Sequence, residues 1–120
     1  MFVRSLAVLF GIGFIFAGVA GFLPQFTTDG MLFGLFATDT MHNLVHIISG
    51  VIAIMAATSF KYARLYFEVF GIIYLLVALA GFWLNGELLM MQMNFADNLL
   101  HLAIGVVAVY VGFSAKNKLA

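Results

Sequence analysis

Asn43-Leu44-Val45-His46, followed by Gly50-Val51, recurs 55 residues later as Asn98-Leu99-Leu100-His101 with Gly105-Val106. Ser59 with Ser114 and Lys61 with Lys116 keep that offset. Upstream, Phe10-Gly11-Ile12 recurs as Phe70-Gly71-Ile72 and Ala20-Gly21-Phe22 as Ala80-Gly81-Phe82, at an offset of 60. A change of five means that the second of two matching loops is five residues shorter. The chain is therefore one unit written twice, residues 1–60 and 61–120, together forming a single domain.

What surrounds the repeat sets its solvent. Of 120 residues 65% are hydrophobic and 8% charged, with a mean hydropathy of +1.16. Five basic and five acidic side chains cannot coat a soluble body of this size, so most of the surface must face lipid. Zero net charge and no basic patch exclude a nucleic-acid partner. The absence of cysteine excludes disulfides, thiol catalysis and thiolate metal sites.

A spanning helix needs about 17–25 mostly apolar residues. Four stretches qualify: Val3–Leu23, His42–Thr58, Tyr62–Leu84 and Asp97–Ser114. The first, with Arg4 ahead of an apolar run, resembles a signal peptide but is too long for one, and is read as a span. Open sheets leave backbone groups unpaired in lipid, so all four are expected to be helical. The greasy links Pro24–Met41 and Asn85–Ala96 are expected to lie in the interface. Arg4, Lys61, Arg64, Lys116 and Lys118 fall on one side, and Asp29, Asp39, Glu87 and Asp97 on the other. The positive-inside rule then puts both termini in the cytoplasm. The expected fold is an all-α, integral membrane four-helix bundle of two parallel two-helix repeats.

Helical spacing places Asn43, His46, Gly50, Ala53 and Ala57 on one face, and Asn98, His101, Gly105, Ala108 and Gly112 on its counterpart. Gly11, Phe14, Gly18 and Gly21 match Gly71, Tyr74, Ala78 and Gly81 in the same way. Small residues let helix backbones approach closely in lipid, so these stripes should face the bundle interior.

The duplicated Asn-x-x-His, in His42-Asn43-Leu44-Val45-His46 and Asp97-Asn98-Leu99-Leu100-His101, resembles an uncharacterised bacterial family. That family is domain of unknown function 4383, of small four-helix membrane proteins. The resemblance takes in Ala63-Arg64-Leu65-Tyr66 and nearly the whole chain. In layout it is similar to DoxX-type membrane proteins. It implies a location in the bacterial cytoplasmic membrane and no activity.

The polar residues inside the spans are the functional candidates. His46 and His101 can ligate a haem or chlorophyll axially, bind a metal with His42 and Asp97, or relay protons. The plainer reading is a helix-packing network in which Asn43 and Asn98 hydrogen-bond the opposing histidines. The His42–His46 spacing fits a zinc-protease helix, but Asn43 stands where the general base belongs. Glu68 is expected to pair with Arg64, four residues before it. Met90, Met91 and Met93 offer soft copper ligands, although methionine is also a flexible filler. Gly11-Ile12-Gly13 lies within a span with no strand before it, which excludes a dinucleotide loop.

No nucleophile, base and oxyanion site assemble, so an enzyme is not expected. The first expectation is an accessory subunit packing against other membrane proteins or against itself. A tetrapyrrole- or metal-binding module is the second, and a small transporter or channel the third.

Overall fold

The computed structural model describes residues 2–84, 87–88 and 91–116. Four helices carry them: α1 (Phe2–Ala20), α2 (Thr40–Ala56), α3 (Phe60–Leu84) and α4 (Phe95–Ser114). Each expected span is met to within two residues, except that α1 stops three residues early, at Ala20 rather than Leu23, ahead of a 3-10 turn at Pro24–Phe26. Helices α1, α3 and α4, with mean hydropathies of 2.1, 2.1 and 1.6, are long and apolar enough to cross a membrane. At 17 residues α2 sits at the lower bound for spanning. Large apolar side chains are exposed around the outside, among them Phe16, Ile48, Leu76 and Val106. The protein is a small all-α membrane protein.

Glycines set the packing. A Cβ on Gly50 would stand 2.6 Å from the Gly11 carbonyl, and one on Gly11 2.8 Å from the Gly50 carbonyl. The backbones of α1 and α2 therefore touch where both lack side chains. In the second half a Cβ on Gly71 would meet the Val109 amide at 2.7 Å, and one on Gly105 would meet the Leu75 amide at 2.8 Å. Between the halves lies a core of Ala7, Ala53, Ala63, Phe67 and Ala108, all almost fully buried. Tyr66 crosses the seam and donates its hydroxyl to the Ser49 carbonyl at 3.2 Å.

The charged end repeats itself too. Arg4 Nε donates to the Ala57 carbonyl at 2.7 Å, and Arg64 Nε to the Gly112 carbonyl at 3.1 Å. Each arginine thus satisfies a carbonyl near the C-terminal end of its partner helix, where cations are favoured. Arg64 also pairs with Glu68 at 3.8 Å, as the four-residue spacing implies. Lys118 lies outside the described residues.

The two greasy links do not simply lie flat. The first folds into three short strands, β1 (Thr27–Thr28), β2 (Met31–Leu32) and β3 (Phe36–Ala37), paired antiparallel in that order. Asp29 and Gly30, both at positive φ, close the first turn, an arrangement that an Asp-Gly pair favours. The second link forms one antiparallel pair, β4 (Glu87–Leu88) with β5 (Met91–Gln92). Strand β5 lies 55 residues after β3, so the longer first link carries an extra strand at its start. Pairing with a neighbouring strand satisfies backbone groups that a flat, apolar segment would leave bare.

Each hairpin is tied to the opposite half. Asp39, the N-cap of α2, accepts from the His42 amide with one oxygen and from the Gln92 amide of β5 with the other, at 2.8 and 2.6 Å. Asp97 accepts from the Asn94 amide in the capping box of α4 and from the Ala37 amide of β3, both at 3.0 Å. Asn94 adds a bond from its side-chain amide to the Leu35 carbonyl at 2.8 Å. Ala37 and Gln92 are equivalent positions in the two halves, so the crossed ties are reciprocal.

Candidate functional site

Beneath the hairpins three imidazoles converge. His42 lies in the first turn of α2, His46 one turn further along it, and His101 at the matching place on α4. The potential ligand atoms of all three lie within 4.8 Å of one another. Their ring centres are 4.6 Å (His42–His46), 5.7 Å (His42–His101) and 6.0 Å (His46–His101) apart. His42 and His101 are buried, and His46 is half-buried.

The helices place them by ordinary means. Asp39 fixes the start of α2, so His42 falls at its third position and His46 one turn later on the same face. The rings are then held by stacking. Phe14 stacks on His46 at 5.6 Å, while Tyr74, its counterpart in the second half, lies 5.4 Å from His101. Phe14 and Tyr74 stack on each other at 5.3 Å and close the floor of the site.

Hydrogen bonding does not account for the cluster. Both ring nitrogens of His42, Nδ1 of His46 and Nδ1 of His101 are buried with no hydrogen-bond partner among the described residues. The expected bonds from Asn43 and Asn98 to these rings do not form among those residues. Each amide lies instead against the glycine ending the preceding helix face, Asn43 on Gly21 and Asn98 on Gly81, where any Cβ would collide with it. The asparagines are packing residues that let the loop ends approach. The histidines are a separate group.

Asp97, which its spacing placed beside the histidines, has a structural duty as well. It occupies the position in the second half that His42 holds in the first, and it lines the same cavity. Its carboxylate is engaged by the capping box and by the hairpin amide. Repeat symmetry offers two histidines; the third comes from this divergence.

The arrangement can be tested against each ligand class. A tetrahedral ion with metal–nitrogen bonds of about 2.0–2.1 Å brings ligand nitrogens to roughly 3.3 Å and imidazole centres to roughly 5 Å of one another. The three centres already bracket that spacing. A tetrapyrrole needs a clear slot between two axial rings. His46 and His101 are far enough apart, but His42 stands within 4.6 and 5.7 Å of them and obstructs the slot. The donor set fits a metal ion and does not fit a haem or chlorophyll.

Two cavities meet at the histidines. The larger, about 370 Å³, lies between α1 and α4 under the first hairpin. The smaller, about 150 Å³, lies between α3 and α2 under the second. Met91 and Met93 turn inward and are almost fully buried there, rather than lying in an interface; Met90 is outside the described residues. Of the other glycines read as packing residues, Gly18 meets the Asn43 carbonyl and Ile47 of α2.

No curated protein and no solved structure matches the chain. A family model does, over residues 4–114, and its description is Domain of unknown function (DUF4383). The match lends nothing to the DoxX-type likeness. With nearly its whole length covered, including both histidine-bearing helices, the chain belongs to the DUF4383 family.

Proposed function

We propose that this protein is a metal-binding membrane module holding one divalent transition-metal ion, zinc or a close analogue, on His42, His46 and His101. One observation carries the reading: three imidazoles converge within 4.8 Å while four of their nitrogens are buried with no hydrogen-bond partner among the described residues. A buried polar atom left unpaired costs about 1–3 kcal/mol, and a shared cation removes that cost at one nitrogen of each ring. Three neutral imidazoles with a fourth position open are also a ligand set that zinc adopts.

The site is read as one for binding rather than turnover; the carboxylate beside it, Asp97, holds two backbone amides on a single oxygen, Oδ2. The accessory-subunit expectation rests on the apolar exterior, which a bilayer covers equally well, so the histidines decide between the two. Four crossings with both termini inside a bacterial inner membrane would put the metal at the outer face. The gathering of Arg4, Lys61, Arg64 and Lys116 at the opposite end supports that orientation.

The test is metal content. Protein purified in mild detergent, loaded with Zn(II) and dialysed, is expected to retain one ion per chain by elemental mass spectrometry. His42→Ala, His46→Ala and His101→Ala should each weaken retention at least tenfold, with thermal melts reporting that each variant remains folded. Wild-type protein that keeps no more zinc than the triple variant refutes the proposal.

A further inference from the structure

The two cavities occupy corresponding places in the two halves, and their walls differ on the side of α1 and α3 and on the side of the links. Phe10, Gly13, Phe14 and Ala17 of α1 line the larger. Their counterparts at an offset of 60, Phe70, Ile73, Tyr74 and Val77 of α3, line the smaller. Opposite them stand Leu100 and His101 in the first case and Val45 and His46 in the second, again equivalent positions. The aromatic positions keep their rings while Ile73 and Val77 give way to Gly13 and Ala17, and the longer first link adds Leu32, Phe33 and Phe36 to the wall; the volumes are about 150 and about 370 Å³.

Gly13 is unlike the packing glycines. A Cβ there meets nothing within 4 Å, whereas at Gly11, Gly18 and Gly50 it would collide with a neighbouring helix. Close approach of backbones does not explain it, and glycine inside a helix is costly. What its missing side chain does is leave the wall of the cavity open. Helices α1 and α4 do not pack closely against each other, and Leu9 and Leu100, exposed and apolar, line the slot between them. The slot runs from that apolar rim to the histidines.

We infer that this slot admits a lipid-soluble molecule carrying an oxygen donor, and that the donor takes the fourth position on the metal. The inference rests on the metal-binding reading and extends it to a ligand class. An apolar wall selects an apolar body, and the inner end of the slot, where the histidines would hold the ion, fixes the head. A hydroxyl, phenolate or hydroxamate oxygen on an alkyl or aryl body meets both conditions. A water-soluble ligand with the same head meets only the second.

The experiment uses full-length protein in lipid nanodiscs loaded with Co(II), whose visible bands report the fourth ligand. Octanohydroxamic acid is the probe, and acetohydroxamic acid is the control with the same head and almost no tail. The expected result is a spectral change with the long-chain compound at a concentration at least tenfold lower than with the short one. The double variant Gly13→Ile/Ala17→Val, which copies the smaller cavity, should still bind cobalt but lose that preference. Cobalt binding with no response to either compound, or with equal response to both, overturns the inference and leaves the metal site standing. A preference unchanged in the double variant also overturns it, since the ligand would then arrive elsewhere. Failure to bind cobalt removes both readings together.

Discussion

Replacing Gly50 by alanine and replacing Gly13 by alanine are the same chemical change on two helices that pack together, and they should move stability in opposite directions. At Gly50 the new Cβ would stand 2.6 Å from the Gly11 carbonyl oxygen and 2.9 Å from the Ile15 amide. Ordinary contact begins at 3.4 Å, and both obstacles are backbone atoms that cannot rotate away. Helices α1 and α2 must separate by about 0.8 Å, which also opens the reciprocal contact of Gly11 on Gly50. Overpacking of this kind costs about 1–3 kcal/mol. Alanine's better helix propensity returns about 0.8–1.0 kcal/mol, so the net expectation is a loss of roughly 1 kcal/mol. At Gly13 nothing lies within 4 Å, so only the propensity gain remains, roughly 0.5–1 kcal/mol in favour of the variant. Thermal unfolding in one mild detergent, followed by far-ultraviolet circular dichroism, should place Gly50→Ala below wild type and Gly13→Ala at or above it. If Gly50→Ala melts no lower than Gly13→Ala, the close backbone contact is not what holds the first helix pair.

Two further substitutions probe the ends of the bundle. Asp39→Ala removes the N-cap of α2 and the acceptor for the Gln92 amide together, and should cost about 1–2 kcal/mol in the same melt, with Asp39→Asn losing clearly less. Arg64→Met breaks an ion pair whose arginine is 42% exposed and frees one Gly112 carbonyl. Its effect should stay below about 1 kcal/mol, and the part due to Glu68 should shrink as salt is raised.

The helices were legible in the sequence because lipid leaves the chain little choice. Apolar runs of spanning length must be helical, and the small residues at helical spacing had to face neighbouring backbones. Gly11, Gly18, Gly50, Gly71 and Gly105 do so, each placed where a side chain would collide with the opposite helix. The Arg64–Glu68 pair was legible for the same local reason, being one turn of a helix apart. The hairpins were not. Their strands are two residues long, too short for any alternation to show, and only the Asp29-Gly30 turn advertised one of them. The ties from Asp39 to β5 and from Asp97 to β3 join residues more than 50 apart, and no local pattern carries such information.

The site divides along the same line. That His46 and His101 would meet followed from the repeat, since equivalent residues on facing helices approach each other across the symmetry axis. That His42 would join them while its counterpart Asp97 turned to the hairpin depends on which groups the loops leave unpaired. Asp39 already caps α2 and bonds the opposite hairpin, so His42 has no backbone duty. In α4 the N-cap is Asn94, which bonds Leu35, and Asp97 takes over the amide of β3. The two halves thus divide the same structural tasks differently, and the difference releases one imidazole. A duplicated pair of helices can offer a central ligand only matched residues, two or four at a time. Three imidazoles, an open fourth position and one slot wider than its twin all require that the match be broken. The breaks at His42/Asp97, Gly13/Ile73 and Ala17/Val77 lie around one point, so the place where the halves stop agreeing is where a chemical role is to be sought.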